Sequence, residues 1–136
     1  MDDRLETGRQ QFDEIYGEGA ANRLIAAQTG MAQDLPRYGV EFGFGDLYGR
    51  TGLTLAQREL ITLGVLTALG GLEPQLRGHT KAALRAGLSP TEILETVVHT
   101  VQYVGFPRAL NAIRVVTDAL VENGAELPPP TDPAAS

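Results

Sequence analysis

Three features of the sequence predict an all-α fold. Apolar residues recur at three- and four-residue spacing along most of the chain, Gly and Pro stand where helices stop and start, and no stretch survives as a strand candidate. The expected architecture is a compact bundle of six to seven helices, with antiparallel neighbours joined by short loops. With 136 residues and 43% hydrophobic side chains, residues 1–126 are expected to fold as one domain. Residues 127–136, Leu127-Pro-Pro-Pro-Thr-Asp-Pro-Ala-Ala-Ser136, are too proline-rich and apolar-poor for that and are expected to form a disordered tail.

The elements follow in order. Arg4 to Ile15 places Leu5, Phe12 and Ile15 at loosely helical spacing, and Gly17 and Gly19 punctuate it. Ala20 to Ala32 resumes with Leu24, Ile25 and Met31. Tyr38 to Arg50 is expected to be a helix broken by a turn, because Gly39, Gly43, Gly45 and Gly49 oppose helix while Tyr38, Phe42, Phe44 and Tyr48 seek burial. Thr54 caps a helix from Leu55 to Leu69 that Gly70-Gly71 ends. Pro74 sits in the first turn of the next helix, which Gly87 closes; Ser89-Pro-Thr-Glu92 is a capping box launching Pro90 to Val104. Pro107 begins the last helix, which runs to about Asn123.

Composition removes whole classes of function. A net charge of −6 leaves no basic stripe to neutralise phosphates, so neither nucleic acid nor an anionic membrane surface is an expected partner. The absence of cysteine excludes disulfide scaffolds, thiol nucleophiles, dithiol redox centres and thiolate metal sites. Met1-Asp-Asp-Arg4 is not followed by an apolar run, and no segment approaches the ~18 apolar residues of a membrane span, so a soluble cytoplasmic protein is expected. The helix from Leu55 has no polar stripe beyond Glu59. A helix apolar all round must be buried all round, and a chain of this size has few such places, which predicts a homo-oligomer.

Few residues are suited to carry chemistry. His79 interrupts the apolar line Leu72, Leu76, Ala83 and so points inward, while Arg77, Lys81 and Arg85 take the solvated face. Two readings are open: a core histidine satisfied by a backbone carbonyl, or a catalytic imidazole. His99 shares the polar face of its helix with Glu92, Glu95 and Gln102, a mostly solvated setting. Glu59 faces the side of Thr62, Leu63 and Leu66, so a carboxylate is carried into apolar surroundings where Arg58, His79 or another chain must hold it. Arg58 at a helix start opposes the dipole, which hints at a partner anion. Glu41 to Asp46 is no phosphate loop, since no strand precedes it and no Lys-Ser/Thr follows. No pair of histidines lies at i, i+4, and no bound metal is expected.

Several motifs in order carry a resemblance. Phe44-Gly-Asp-Leu-Tyr-Gly-Arg-Thr-Gly-Leu53, Arg58-Glu-Leu-Ile-Thr62, Leu76-Arg-Gly-His79, Ala82-Ala-Leu-Arg-Ala-Gly87, Glu92-Ile-Leu-Glu95 and Tyr103-Val-Gly-Phe-Pro107 with Asn111-Ala112 closely resemble the carboxymuconolactone decarboxylase family over roughly Phe42 to Leu120. The resemblance implies an all-α fold shared with the alkylhydroperoxidase-like proteins, assembled as trimers or hexamers. That other branch carries Cys-x-x-Cys-x-x-x-His; counting back from His79 puts Leu72 and Gln75 where its cysteines stand, so thiol peroxidase chemistry is excluded. The remaining branch is implied, whose named member decarboxylates 4-carboxymuconolactone without a cofactor.

The resemblance also implies the site. His79 and Arg58 match the residues carried across from the family, with Glu59 tuning His79. Loss of CO₂ from a carboxylate conjugated to a lactone carbonyl leaves an enolate, which needs a cation, an apolar wall and one proton donor. Arg58 is assigned the anion contact, His79 the proton transfer, and Phe44, Tyr48 and Tyr103 the wall. Gln75 and Arg108 complete the expected substrate contacts. Both depart from the family pattern: members often carry Glu at the position of Gln75, and a small residue at that of Arg108. The expected partner is a small carboxylate substrate, and no cofactor is expected. A recruited member acting on another small carbonyl compound, or a ligand-binding protein without catalysis, are the alternatives.

Overall fold

The computed structural model describes residues 3–131, and among them the fold is seven α-helices with no strand. The chain divides into two compact units, one up to Arg58 and one from Glu59 onward.

The first unit begins with α1 (Asp3–Tyr16) and α2 (Ala20–Ala26). Phe12 and Val40 are buried with Ala20 and Ala21, and Leu5, Tyr16, Ile25 and Phe44 pack against them. The Asp13 carboxylate accepts hydrogen bonds from the Gly19 and Ala21 amides, both at 2.9 Å, and so satisfies donors that the start of α2 leaves open. Two expectations are corrected here. The helix expected over Ala20 to Ala32 stops at Ala26, because Thr29 is extended and Gly30 takes a positive φ, and residues Gly30–Gln33 form only a 3₁₀ turn. The helix expected to break within Tyr38 to Arg50 does not break. α3 (Asp34–Tyr38) runs directly into a π-helical segment, Gly39–Leu47. Of its glycines Gly45 serves packing: α1 lies so close that a side chain begun there would start 2.6 Å from the Arg4 carbonyl oxygen, and one begun at Gly8 of α1 would strike the Val40 carbonyl.

The second helix group follows from its punctuation. α4 (Leu55–Leu69) is capped as expected at Thr54, whose Oγ1 accepts from the Gln57 amide while Gln57 Oε1 accepts from the Thr54 amide. Gly70 and Gly71, both at positive φ, end it. α5 (Glu73–Arg85), α6 (Pro90–Val104) and α7 (Phe106–Glu122) complete the second unit, with α7 packed on both α5 and α6. The capping box at Ser89 and Glu92 is present in both directions. Leu76, Ile93, Val97, Val116 and Leu120 form the buried interior.

Only one line of α4, Glu59, Leu63 and Thr67, is buried, whereas Ile61, Val65 and Leu69 are at least half exposed. The all-round burial expected of this helix is therefore not achieved within the single chain. Leu127 to Thr131 carry no helix and line a shallow groove with Leu94, Val98 and Ile113; the remainder of the expected tail, 132–136, lies outside the described residues. Among the described residues no helix is long and apolar enough to cross a membrane.

Candidate functional site

Within the second unit, α4 and α5 each bring one polar group into apolar surroundings. α5 buries Leu76, Thr80, Ala82 and Ala83, and the same spacing turns His79 inward until 16% of its side chain remains exposed. Glu59, in line with Leu63 and Thr67 on α4, has no exposed surface. The two meet: His79 Nδ1 lies 2.9 Å from Glu59 Oε2. Of the holders that the sequence allowed for Glu59, the structure brings His79 to it. The second carboxylate oxygen, Oε1, is buried without a hydrogen-bond partner among the described residues, so the imidazole carries the recorded hydrogen bonding of this carboxylate.

This arrangement has chemical consequences. An ionised carboxylate only accepts hydrogen bonds, so facing Oε2 the Nδ1 atom takes the N–H and Nε2 becomes the nitrogen that exchanges protons with a ligand. The carboxylate fixes both the tautomer and the ring orientation. A histidine held this way is suited to proton transfer at Nε2.

The other sequence-nominated residues take varied positions. Arg58, next to Glu59 on α4, donates from Nη2 to the Arg50 carbonyl oxygen at 3.0 Å. Phe44 and Tyr48 belong to the first unit, where their rings stack at 4.6 Å between centroids. Phe44 also meets Phe12 edge-on at 4.7 Å, so both rings are tied into that unit's aromatic packing. Gln75 is exposed.

Arg108 lines a small cavity with Gly70, Gly71, Leu72, Glu73 and Asn111, its stem running past Gly70. Tyr103 is 78% exposed and belongs to a separate groove of about 750 Å³ between α4 and α6. His99 lines that groove too, its ring 6.0 Å from that of Tyr103 between centroids. Within the second unit, then, the structure joins Glu59 to His79 and puts Tyr103 with His99. Sequence reasoning left that groove unseen; the i, i+4 spacing of Glu95, His99 and Tyr103 was its signal. Among the described residues no group of three or more His, Asp or Glu is placed to hold a metal ion.

Comparison with known proteins agrees with the motif pattern. The carboxymuconolactone decarboxylase family matches residues 33–118. A 4-carboxymuconolactone decarboxylase of Acinetobacter baylyi is 30% identical over 121 residues, 89% of this chain and 90% of that protein. An uncharacterized 15.0 kDa protein of Paracoccus denitrificans is 33% identical, covering 90% of this chain and 91% of its own length. A nitrosuccinic acid decarboxylase of Metarhizium robertsii is 34% identical, covering 87% of this chain and 86% of its own.

Proposed function

The chain belongs to the carboxymuconolactone decarboxylase family, and on that footing we propose that it is a cofactor-independent carboxy-lyase acting on a small carboxylated lactone such as 4-carboxymuconolactone. The observation that carries the reading is the buried Glu59 carboxylate bound to His79 Nδ1 at 2.9 Å. Decarboxylation breaks the bond to the departing carboxylate, and its electron pair passes to the conjugated lactone carbonyl. Nε2–H of His79 then delivers the proton that quenches the resulting enolate, and Glu59 stabilises the imidazolium before the transfer. The apolar surroundings keep water from competing for that proton.

The same chemistry extends to substrates with another electron sink. A nitro group next to the bond that breaks accepts the electron pair as a nitronate, which is why the relative named for nitrosuccinic acid is compatible with this site. Purified protein is incubated with 4-carboxymuconolactone and with nitrosuccinate, following absorbance and CO₂ release. Turnover of either supports the reaction class, and the preference identifies the sink. His79→Asn is expected to lower kcat by at least ~100-fold, the usual scale for loss of a general acid–base. Full activity in that variant overturns the assignment.

Arg58 as the anion contact is a separate proposal, for which Arg58→Met is expected to raise KM more than it lowers kcat. The protein is further proposed to act as a homo-oligomer, supported by the uncovered apolar face of α4.

A further inference from the structure

The small cavity at the turn between α4 and α5 is lined by more hydrogen-bond donors than the chain uses. Arg108 and Asn111, neighbours at i, i+3 near the start of α7, both line it and are both exposed, so a solute reaches them from solvent. Neither side chain makes a hydrogen bond or ion pair among the described residues. The Gly71 and Leu72 amides, on the turn itself, also donate to no acceptor among those residues. The stem of Arg108 lies against the turn: its Nε, Cδ and Cγ are 3.6 to 3.8 Å from the point where a side chain on Gly70 would begin.

Converging donors with one fixed positive charge call for an anion. Glu73 is the acid that also lines the cavity, yet it forms no ion pair with Arg108 among the described residues. The volume is about 40 Å³, the space of roughly three waters. That holds a carboxylate group and is too small for a lactone ring. A guanidinium matches a carboxylate through two parallel N–H···O bonds, which makes this anion shape the one that Arg108 takes best.

The cavity is separate from the proton-transfer pair, since neither Glu59 nor His79 lines it. Leu72, at the cavity, and His79 are seven residues apart, roughly 10 Å along α5 at 1.5 Å per residue. We propose that the cavity binds one small free oxyanion, a carboxylate or bicarbonate of three or four heavy atoms, with Arg108 as the charged contact and Asn111 Nδ2 as a second donor. The proposal gives Arg108 a free anion in place of the substrate contact that the resemblance implies, and it does not depend on the decarboxylase reading. An anion held there ties the start of α7 to the α4–α5 turn, so its binding stabilises the fold by mass action.

The full chain, labelled with ¹⁵N, is titrated with sodium acetate and with sodium formate, each against sodium chloride at equal ionic strength. The Arg108 Nε–H and the Asn111 side-chain amide are followed by nuclear magnetic resonance. Both signals are expected to shift saturably at millimolar acetate or formate, and far less with chloride. Arg108→Gln is expected to weaken acetate binding at least ~10-fold, read at the Asn111 amide, because the charge-assisted contact is lost. Glu73→Gln removes a competing negative charge and is expected to tighten it. Helical circular dichroism checks that each variant is folded.

A response to acetate no larger than that to chloride overturns the proposal, as does binding that survives Arg108→Gln undiminished in a folded variant. The same titration with 4-carboxymuconolactone separates the two sources of a carboxylate. Shifts at Arg108 that acetate reverses would put the cavity in the substrate site and overturn a separate one; a lactone that leaves Arg108 unmoved supports it.

Discussion

Removing His79 from the Glu59–His79 pair is expected to cost far more than removing both partners. In His79→Leu the Glu59 carboxyl group, with no exposed surface, loses its recorded hydrogen bond, while Oε1 already has none. Removing one partner of a buried pair typically costs 3–5 kcal/mol, and because His79 itself keeps 16% of its side chain exposed, the lower end applies, about 3 kcal/mol. Glu59→Met leaves an imidazole short of one partner near the surface, about 1 kcal/mol. The double variant, Glu59→Met with His79→Leu, replaces the pair by apolar groups of similar size and is expected within about 1 kcal/mol of the parent.

The coupling energy of this cycle is therefore about 4 kcal/mol. It is read by urea unfolding followed by helical circular dichroism at one fixed protomer concentration, since assembly contributes to apparent stability. With an m-value of about 2 kcal/mol/M, His79→Leu should unfold about 1.5 M earlier in urea than the parent. All three variants are expected to lose turnover, which separates stability from function: the double variant should be folded and inactive. Single-variant costs that simply add in the double, or a Glu59→Met cost equal to that of His79→Leu, would refute the coupling drawn from the 2.9 Å contact.

The remaining expectations concern the scaffold. Gly45→Ala should destabilise by about 1–3 kcal/mol, because the new methyl begins 2.6 Å from the Arg4 carbonyl oxygen; Gly64→Ala, whose nearest neighbour from another helix is 3.9 Å away, should leave the melting temperature unchanged or raise it. Thr54→Ala removes a hydroxyl that accepts from the Gln57 amide, and a loss of about 1 kcal/mol is expected in chemical denaturation. The Arg4 guanidinium bonds Asp46 and holds its carboxyl below the ordinary value of 3.8. Because that group binds its proton less readily folded than unfolded, its contribution is full above pH 3.8 and fades as pH falls through the lower folded value. The stability gap between the parent and Arg4→Met should accordingly close under acid; a gap that widens there would contradict the ion pair.

How far the sequence could be read depended on whether each feature was local. α4 and α6 match their expected spans, Leu55–Leu69 and Pro90–Val104, because Thr54, the Gly pair at 70 and 71, and the Ser89–Glu92 box act within one turn of themselves. The stretch from Tyr38 to Arg50 misled for a nonlocal reason. Its glycines lower helix propensity in isolation, yet Gly45 is there so that α1 can approach, and that packing outweighs the propensity cost. Spacing alone cannot reveal what an adjacent helix will demand.

The site shows the same boundary between the legible and the hidden. Periodicity put Glu59 and His79 on inward faces of their own helices, which is as much as a helical repeat can say. Which inward faces meet depends on the rotation of α4 against α5, and the 19 intervening residues do not encode that in any local signal. Arg58 shows the converse. A guanidinium takes any acceptor within reach, and the Arg50 carbonyl lies 3.0 Å from its Nη2, a contact that its helix-start position did not specify. A buried carboxylate has no such latitude. Once Glu59 is placed on the interior face of an apolar helix, it must find a donor or forgo its charge, and of the holders open to it the His79 imidazole is the one that lies at 2.9 Å. The demand of that one desolvated group, more than any motif, makes His79 an assigned partner rather than one candidate among several.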